Sequence, residues 1–225
     1  MGQPVAVTKA LTAASDNAIC LSQSPGAAGN LTINGASASG GVATLDSQRR
    51  VIITSAADDS AKTFIVTGTN DYGAPIKDSF AGANTGIAQS NLNFKTVTQV
   101  HISAASAGAV KVGTNGVGSS PWVLFDSHIP TPNISFAAVL NSGSATIQVE
   151  YTYDEVVNSP VGSGSAIAYA PATPVPLAWL HPSLQNLSES NDGGLTFPFR
   201  AWRFTILSGT GSWTVTGTQG GISGP

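Results

Sequence analysis

A short apolar-alternating run ending in serine, then a turn of small residues, then a second run, is written three times along this chain. Ile19-Cys20-Leu21-Ser22 leads into AGNLTING at 28–35, and Val100-His101-Ile102-Ser103 leads into AGAVKVGTNG at 107–116. Phe204-Thr205-Ile206-Leu207-Ser208 leads into TGSWTVTGTQGG at 210–221. Alternation with a period of two fits strands buried on one face. With Gly29, Gly108 and Gly211 closing the turns, each copy predicts a β-hairpin. The copies lie too far apart in the chain for a solenoid and indicate duplicated domains.

Further strands are predicted at Val42-Ala43-Thr44-Leu45, 50–54, 63–69, 122–124, 134–140 and 146–153. Helical periodicity is absent, because Gly, Pro and β-branched residues interrupt every window. In TIQVEYTY, Ile147, Val149, Tyr151 and Tyr153 share one face, and Gln148, Glu150 and Thr152 the other. Two series of strands align. Placing Thr63 on Thr146 also places Val66 on Val149, Thr69 on Thr152 and Asp71 on Asp154, and Val100 and Ile102 correspond to Phe204 and Ile206. The expected fold is all-β, with almost no helix and two related antiparallel β-sandwich-like domains in tandem. Residues 1–27 form an N-terminal arm and first strand, 28–113 the first domain and 114–225 the second. Within the second, 156–176 carry prolines that preclude a central strand, so an extended arm is expected there.

Charged residues make up 9% of the chain, where soluble proteins average about 25%. A surface of Ser, Thr, Asn and Gln suits packing against other subunits, since few charges need desolvation. The net charge is −3 and Arg49-Arg50 is the one basic pair, which argues against nucleic-acid binding. No 18-residue apolar run suggests a membrane span, and the N-terminus does not read as a secretory signal. Cys20, the single cysteine, lies in an apolar strand and reads as a structural thiol.

Chemistry is sparse. His101, His128 and His181 are not spaced as metal ligands, and no nucleophile or phosphate-binding motif occurs. Asp58-Asp59-Ser60 and Asn191-Asp192-Gly193-Gly194 read as turns, the latter as a hairpin signal. The expectation is therefore no catalytic, cofactor or metal residue, and no enzyme. Trp202 and Trp213 alternate with core residues, whereas Trp179, in PLAWLHP beside the proline-rich arm, reads as an interface anchor. Tyr169, Leu177 and Trp122 complete the candidate interface.

The combination of LTINGASASGGVATLDSQRRVIITS, FKTVTQVHISAASAGAVKVGTNGVGSSPWV, TIQVEYTYDE, WLHPSLQN and a terminal TVTGTQGGIS resembles β-rich structural proteins of tailed bacteriophages and prophages. It covers most of residues 28–224. The resemblance implies a non-enzymatic virion component, either a capsid decoration (cement) protein or a neck or tail protein. It further implies a homo-oligomer whose partners are the major capsid protein or neck and tail proteins, made in the host cytoplasm without a signal peptide. The alternative from another class is a carbohydrate- or receptor-binding β-sandwich module, which rests on the tryptophans and Tyr151/Tyr153.

Overall fold

The computed structural model describes residues 4–125, 133–154, 156 and 176–220. It holds no helix among them, and its sheets are antiparallel, so the fold is all-β. The strands are β1 (Val5–Lys9), β2 (Ser15–Gln23), β3 (Gly29–Asn30), β4 (Ala38–Ser39), β5 (Val42–Asp58), β6 (Thr63–Thr69), β7 (Pro75–Ala81) and β8 (Asn84–Ile102). They continue with β9 (Val110–Ser119), β10 (Val123–Leu124), β11 (Asn133–Ser142), β12 (Ala145–Thr152), β13 (Trp179–Leu180), β14 (Asn191–Leu195), β15 (Ala201–Gly209) and β16 (Ser212–Gly220).

The chain divides into two compact units. The first is Ala14–Val117; the second combines the described residues of Met1–Ala13, Gly118–Asn158 and Val175–Pro225. The N-terminal strand β1 therefore belongs with the C-terminal half, where it pairs with β16 from Val5↔Gly217 to Lys9↔Trp213. Leu11 follows it into the core of that unit.

In the first unit the strands run β9-β5-β8-β6-β7, with β2 against β9, β3 against β8 and β4 against β5. The runs predicted at 42–45 and 50–54 are one long strand, β5. Register shifts between Thr44 and Arg49 and between Arg50 and Ile52 keep it paired with β8. Side chains fill the gaps these bulges leave. Lys95 Nζ donates to the carbonyls of Leu45 and Asp46 at 2.8 and 3.2 Å, and Asp78 Oδ2 accepts from the Leu92 N–H at 3.1 Å. The 63–69 run is β6 itself, and Asn70-Asp71-Tyr72-Gly73 is the turn to β7. There Asn70 Oδ1 accepts from the N–H groups of Tyr72 and Ala74, and Gly73 takes φ +75°.

The second unit is a sandwich. One sheet runs β1-β16-β11-β14; the facing sheet contains β13-β12-β15 with β10 beside β15. Ile134 and Phe136 of β11 and Trp213 and Val215 of β16 meet Ile147 and Val149 of β12 and Trp202, Phe204 and Ile206 of β15 in one core.

The residues that the internal alignment superposes hold equivalent registers. Val66 faces Val100 and Phe64 faces Ile102 across β6–β8, as Val149 faces Phe204 and Ile147 faces Ile206 across β12–β15. In each unit the strand after the glycine turn returns to the strand that precedes this pair: β9 to β5, and β16 to β11.

The three expected hairpins are corrected. None of β2–β3, β8–β9 or β15–β16 is a paired couple. Each glycine turn instead carries the chain from one set of pairings to another. Across Thr210-Gly211, β15 and β16 bring Ile206 and Trp213 to the same core from opposite sheets. In the first unit, β2 lies on β9 and β3 on β8, and the two turns bond to each other through Ser106 N–H and the Pro25 carbonyl at 2.9 Å. Alternation records which face is buried; it does not record whether the next strand lies beside or across.

The predicted turn at 191–194 is also corrected, because these residues form β14, paired with β11 from Ile134↔Leu195 to Ala138↔Asn191. Its glycines serve packing. A Cβ on Gly193 would sit 2.7 Å from His181 Cε1, and one on Gly194 3.2 Å from the Ile134 carbonyl oxygen.

Candidate interaction surface

Several titratable residues are engaged within the fold. Asp58 Oδ1 accepts from the N–H and hydroxyl of Ser60, which holds its carboxyl below the ordinary value. Asp59 beside it is fully buried. Burial alone would raise this carboxyl, but the Ala107 N–H at 2.8 Å and the Lys62 ammonium overcome it and hold the group low. Burial pushes the Cys20 thiol up to about 12, which makes it an inert core group. Among the described residues no cluster of three His, Cys, Asp or Glu side chains is placed to hold a metal ion. No helix is long and apolar enough to cross a membrane.

The basic pair is engaged within the chain as well. Arg49 is buried, bonded to the Asn115 carbonyl and ion-paired with Asp46. Arg50 donates to Asn93 Oδ1 and the Ser90 carbonyl at 3.0 and 2.9 Å. His101 is half-buried between the core residues Val100 and Ile102. His181 is buried against Phe136, with ring centroids 5.5 Å apart in an edge arrangement.

The tryptophans separate by burial. Trp202 and Trp213 lie fully in the core, and Trp213 donates to the Ala145 carbonyl at 3.1 Å. Trp122 is 8% exposed. The Arg203 guanidinium stacks 4.4 Å from its ring centroid and bonds Glu150 Oε2 at 2.7 Å. Trp122 is thus packed within its own chain, in a small cluster with Val156 and Ala201 against which Ala178 rests.

Trp179 alone is open, at 50%. It stands on β13, the edge of its sheet, opposite Tyr151. Leu177 is 60% exposed, Tyr153 54% and Leu180 43%. These side chains flank the base of the 156–176 segment. The described ends of that segment are joined there: Asp154 Oδ2 accepts from the Leu177 N–H at 2.7 Å, and Val156 packs with the Trp122 cluster. The rest of the expected arm, with Tyr169, lies outside the described residues, as does His128.

From this surface a series of rings leads inward. Tyr153 meets Tyr151 at 5.9 Å, Tyr151 meets Phe199 at 5.4 Å, Phe199 meets Phe125 at 5.1 Å, and Phe125 meets Trp202 at 6.5 Å. The exposed Tyr153 ring therefore stands on a packed aromatic base. Leu177 and Trp179 stand out in the sequence; Leu180 does not. Its signal was the register of the edge strand, which the sequence does not display. The Glu150–Arg203–Trp122 group was missed for the same reason, since its members come from three separated strands or loops.

The chain matches no family model, no curated protein and no solved structure.

Proposed function

We propose that this chain is a non-enzymatic structural subunit of a tailed-phage particle, a capsid decoration protein or a neck or tail protein. It acts by packing against copies of itself and against other virion proteins. The particle is suggested by the resemblance of its sequence strings. The mode of action rests on one observation: three large apolar side chains, Tyr153, Leu177 and Trp179, stand exposed at one sheet edge, with Leu180 exposed on the other face of that edge. On a chain with only 9% charged residues such a patch has few charges to desolvate when it is covered.

Mass spectrometry of purified particles tests the reading. Hundreds of copies place the chain on the capsid exterior, and a small multiple of three, six or twelve places it on the neck or tail axis. Absence from particles overturns both.

Carbohydrate or receptor binding is the second reading, favoured by two exposed rings, Trp179 on β13 and Tyr153 just past the end of β12, which pairs with β13. A glycan array comparing the parent with Trp179→Ala decides it, because specific binding lost on substitution promotes this reading.

A further inference from the structure

His181 begins a segment that closes one edge of the sandwich. Its own N–H donates to the Val149 carbonyl at 2.9 Å, and the Val149 N–H donates to Leu184 O at 2.8 Å. The N–H groups of Ile147 and Leu187 donate to each other's carbonyls at 2.9 and 2.8 Å. These four backbone bonds cover the outer edge of β12 beyond β13. Besides these bonds the segment is anchored by Leu184 in the core, by Leu187 packed against it and by the imidazole of His181. Of the residues from Pro182 to Glu189, only Leu184 is fully in the core, while Pro182, Ser183, Gln185 and Asn186 are exposed. Asn186 takes a left-handed φ of +51°, so the loop has no regular continuation of its own.

The titratable member of that anchor is the imidazole. It is 1% exposed and lies between the Phe136 ring of β11 and the bare backbone of Gly193 in β14. Nδ1 accepts from the Ser183 N–H at 3.2 Å, which puts the proton of the neutral ring on Nε2. Nε2 is buried with no hydrogen-bond partner. In the cation Nδ1 carries a proton too, so the Ser183 N–H would lose its acceptor and meet another N–H, and a positive charge would sit in an apolar slot.

The packed elements supply no counter-charge among the described residues. β11 presents Phe136, β14 presents Gly193, and the segment itself presents Ser183 and Leu184. Asp192 neighbours Gly193 but by strand alternation faces the opposite side, and it is exposed. Glu150, next to Val149 on β12, is held by Arg203 on the outer face. Glu189 is exposed farther along. Burial accordingly pushes the His181 imidazole below its ordinary 6.5.

We propose that His181 is an acid-sensitive latch: neutral, it holds residues 181–187 along the β12 edge, and protonated, it lets them go. The sign follows from linkage. The released ring binds a proton near 6.5 and the seated ring binds it less readily, so latch stability is complete above 6.5 and falls as pH drops toward the seated value. The freed element would be a strand edge with the N–H groups of Ile147 and Val149 unpaired, the kind of edge that accepts another strand.

Hydrogen exchange of the full chain at pH 7 and pH 5, corrected for the intrinsic pH dependence of exchange, tests the latch. Protection of the Ile147, Val149, His181 and Leu187 amides is expected to fall as pH drops below 6.5, at no more than about tenfold per pH unit and only until the seated value is reached, while the β11–β16 amides hold. His181→Asn keeps an acceptor for the Ser183 N–H and cannot titrate, so in that variant the acid effect should vanish. If it does not fold, an NMR titration of His181 in the parent replaces it. A ring that titrates at or above 6.5 overturns the proposal. Protection that is unchanged in acid, or lost uniformly across the unit, overturns it equally.

Discussion

Trp202 of β15 lies against Gly217 of β16 across the sandwich, so close that a Cβ on the glycine would sit 2.9 Å from indole Cε2 and Nε1. Facing sheets are held about 10 Å apart by the side chains between them. A residue as large as Trp202, fully buried, fits only where its opposite number is absent. Gly217 is that absence, and neither atom group can withdraw, since the indole also packs against Phe136 at 5.3 Å. Gly217→Ala should lower stability by about 1–3 kcal/mol through overpacking. Gly116→Ala, whose Cβ meets nothing within 4 Å, should stay within about 0.5 kcal/mol of the parent. Urea unfolding followed by tryptophan fluorescence measures both, and equal effects would contradict this account of the packing.

Asp59 joins three stretches of the first unit. Its carboxylate accepts from Ala107 N–H and Lys62, and its backbone N–H donates to Ala83 O at 2.9 Å. Asp59→Asn removes the charge and the ion pair while keeping the shape, and should cost about 1–3 kcal/mol. The depressed carboxyl pKa also fixes a pH window. The unfolded chain takes up a proton at the ordinary value of 3.8 and the folded one only at lower pH. Stability from this group is thus present above 3.8 and is lost as pH falls through the folded value. Unfolding measured from pH 6 to pH 2.5 should show a shallower acid loss in the variant than in the parent.

The strands were legible where burial alternates cleanly. Thr63–Thr69 coincides with β6 because Phe64 and Val66 are fully buried while Thr63, Ile65 and Thr67 are not. Pairing partners were not legible. Ile206 and Trp213 straddle a glycine turn as hairpin residues would, yet face each other across a core. Asn191-Asp192-Gly193-Gly194 has turn composition, yet the glycines are there to make room for His181 and the β11 backbone. Long-range packing overrode local preference in each case. At the surface, Trp179 stands out by its proline-rich neighbourhood, whereas Trp122, read as part of the same interface, is covered by Arg203, which is remote in sequence.

Thr85 holds a left-handed φ of +48° at the start of β8. A β-branched side chain there costs about 1–2 kcal/mol over a relaxed conformation, and Thr85 is exposed, with little packing to lose. Glycine relieves the strain but adds freedom to the unfolded chain, at a cost of about 0.5–1 kcal/mol. Thr85→Gly should therefore raise stability by about 0.5–1 kcal/mol. The mirror experiment, Gly73→Thr at φ +75°, should lower it. Thermal unfolding of the pair checks the sign in both directions, and a destabilised Thr85→Gly would mean that the threonine side chain supplies more than its backbone costs.

Trp179 separates stability from assembly. Its link to the fold runs through the backbone of the edge pair with Tyr151, and half of its surface is already in water. Replacing it by serine should leave the unfolding midpoint close to the parent, within about 1 kcal/mol. In an interface the same indole would be an anchor worth about 2 kcal/mol or more, which weakens association by about thirtyfold at that magnitude. Sedimentation velocity over a concentration series, or incorporation into particles, should then show the variant folded but dissociated. Leu124→Ser, also at an exposed apolar position but on β10, serves as the comparison. If both variants assemble as the parent does, the subunit contacts lie on other faces of the sheets. If Trp179→Ser fails while Leu124→Ser assembles, the β13 edge is the contact.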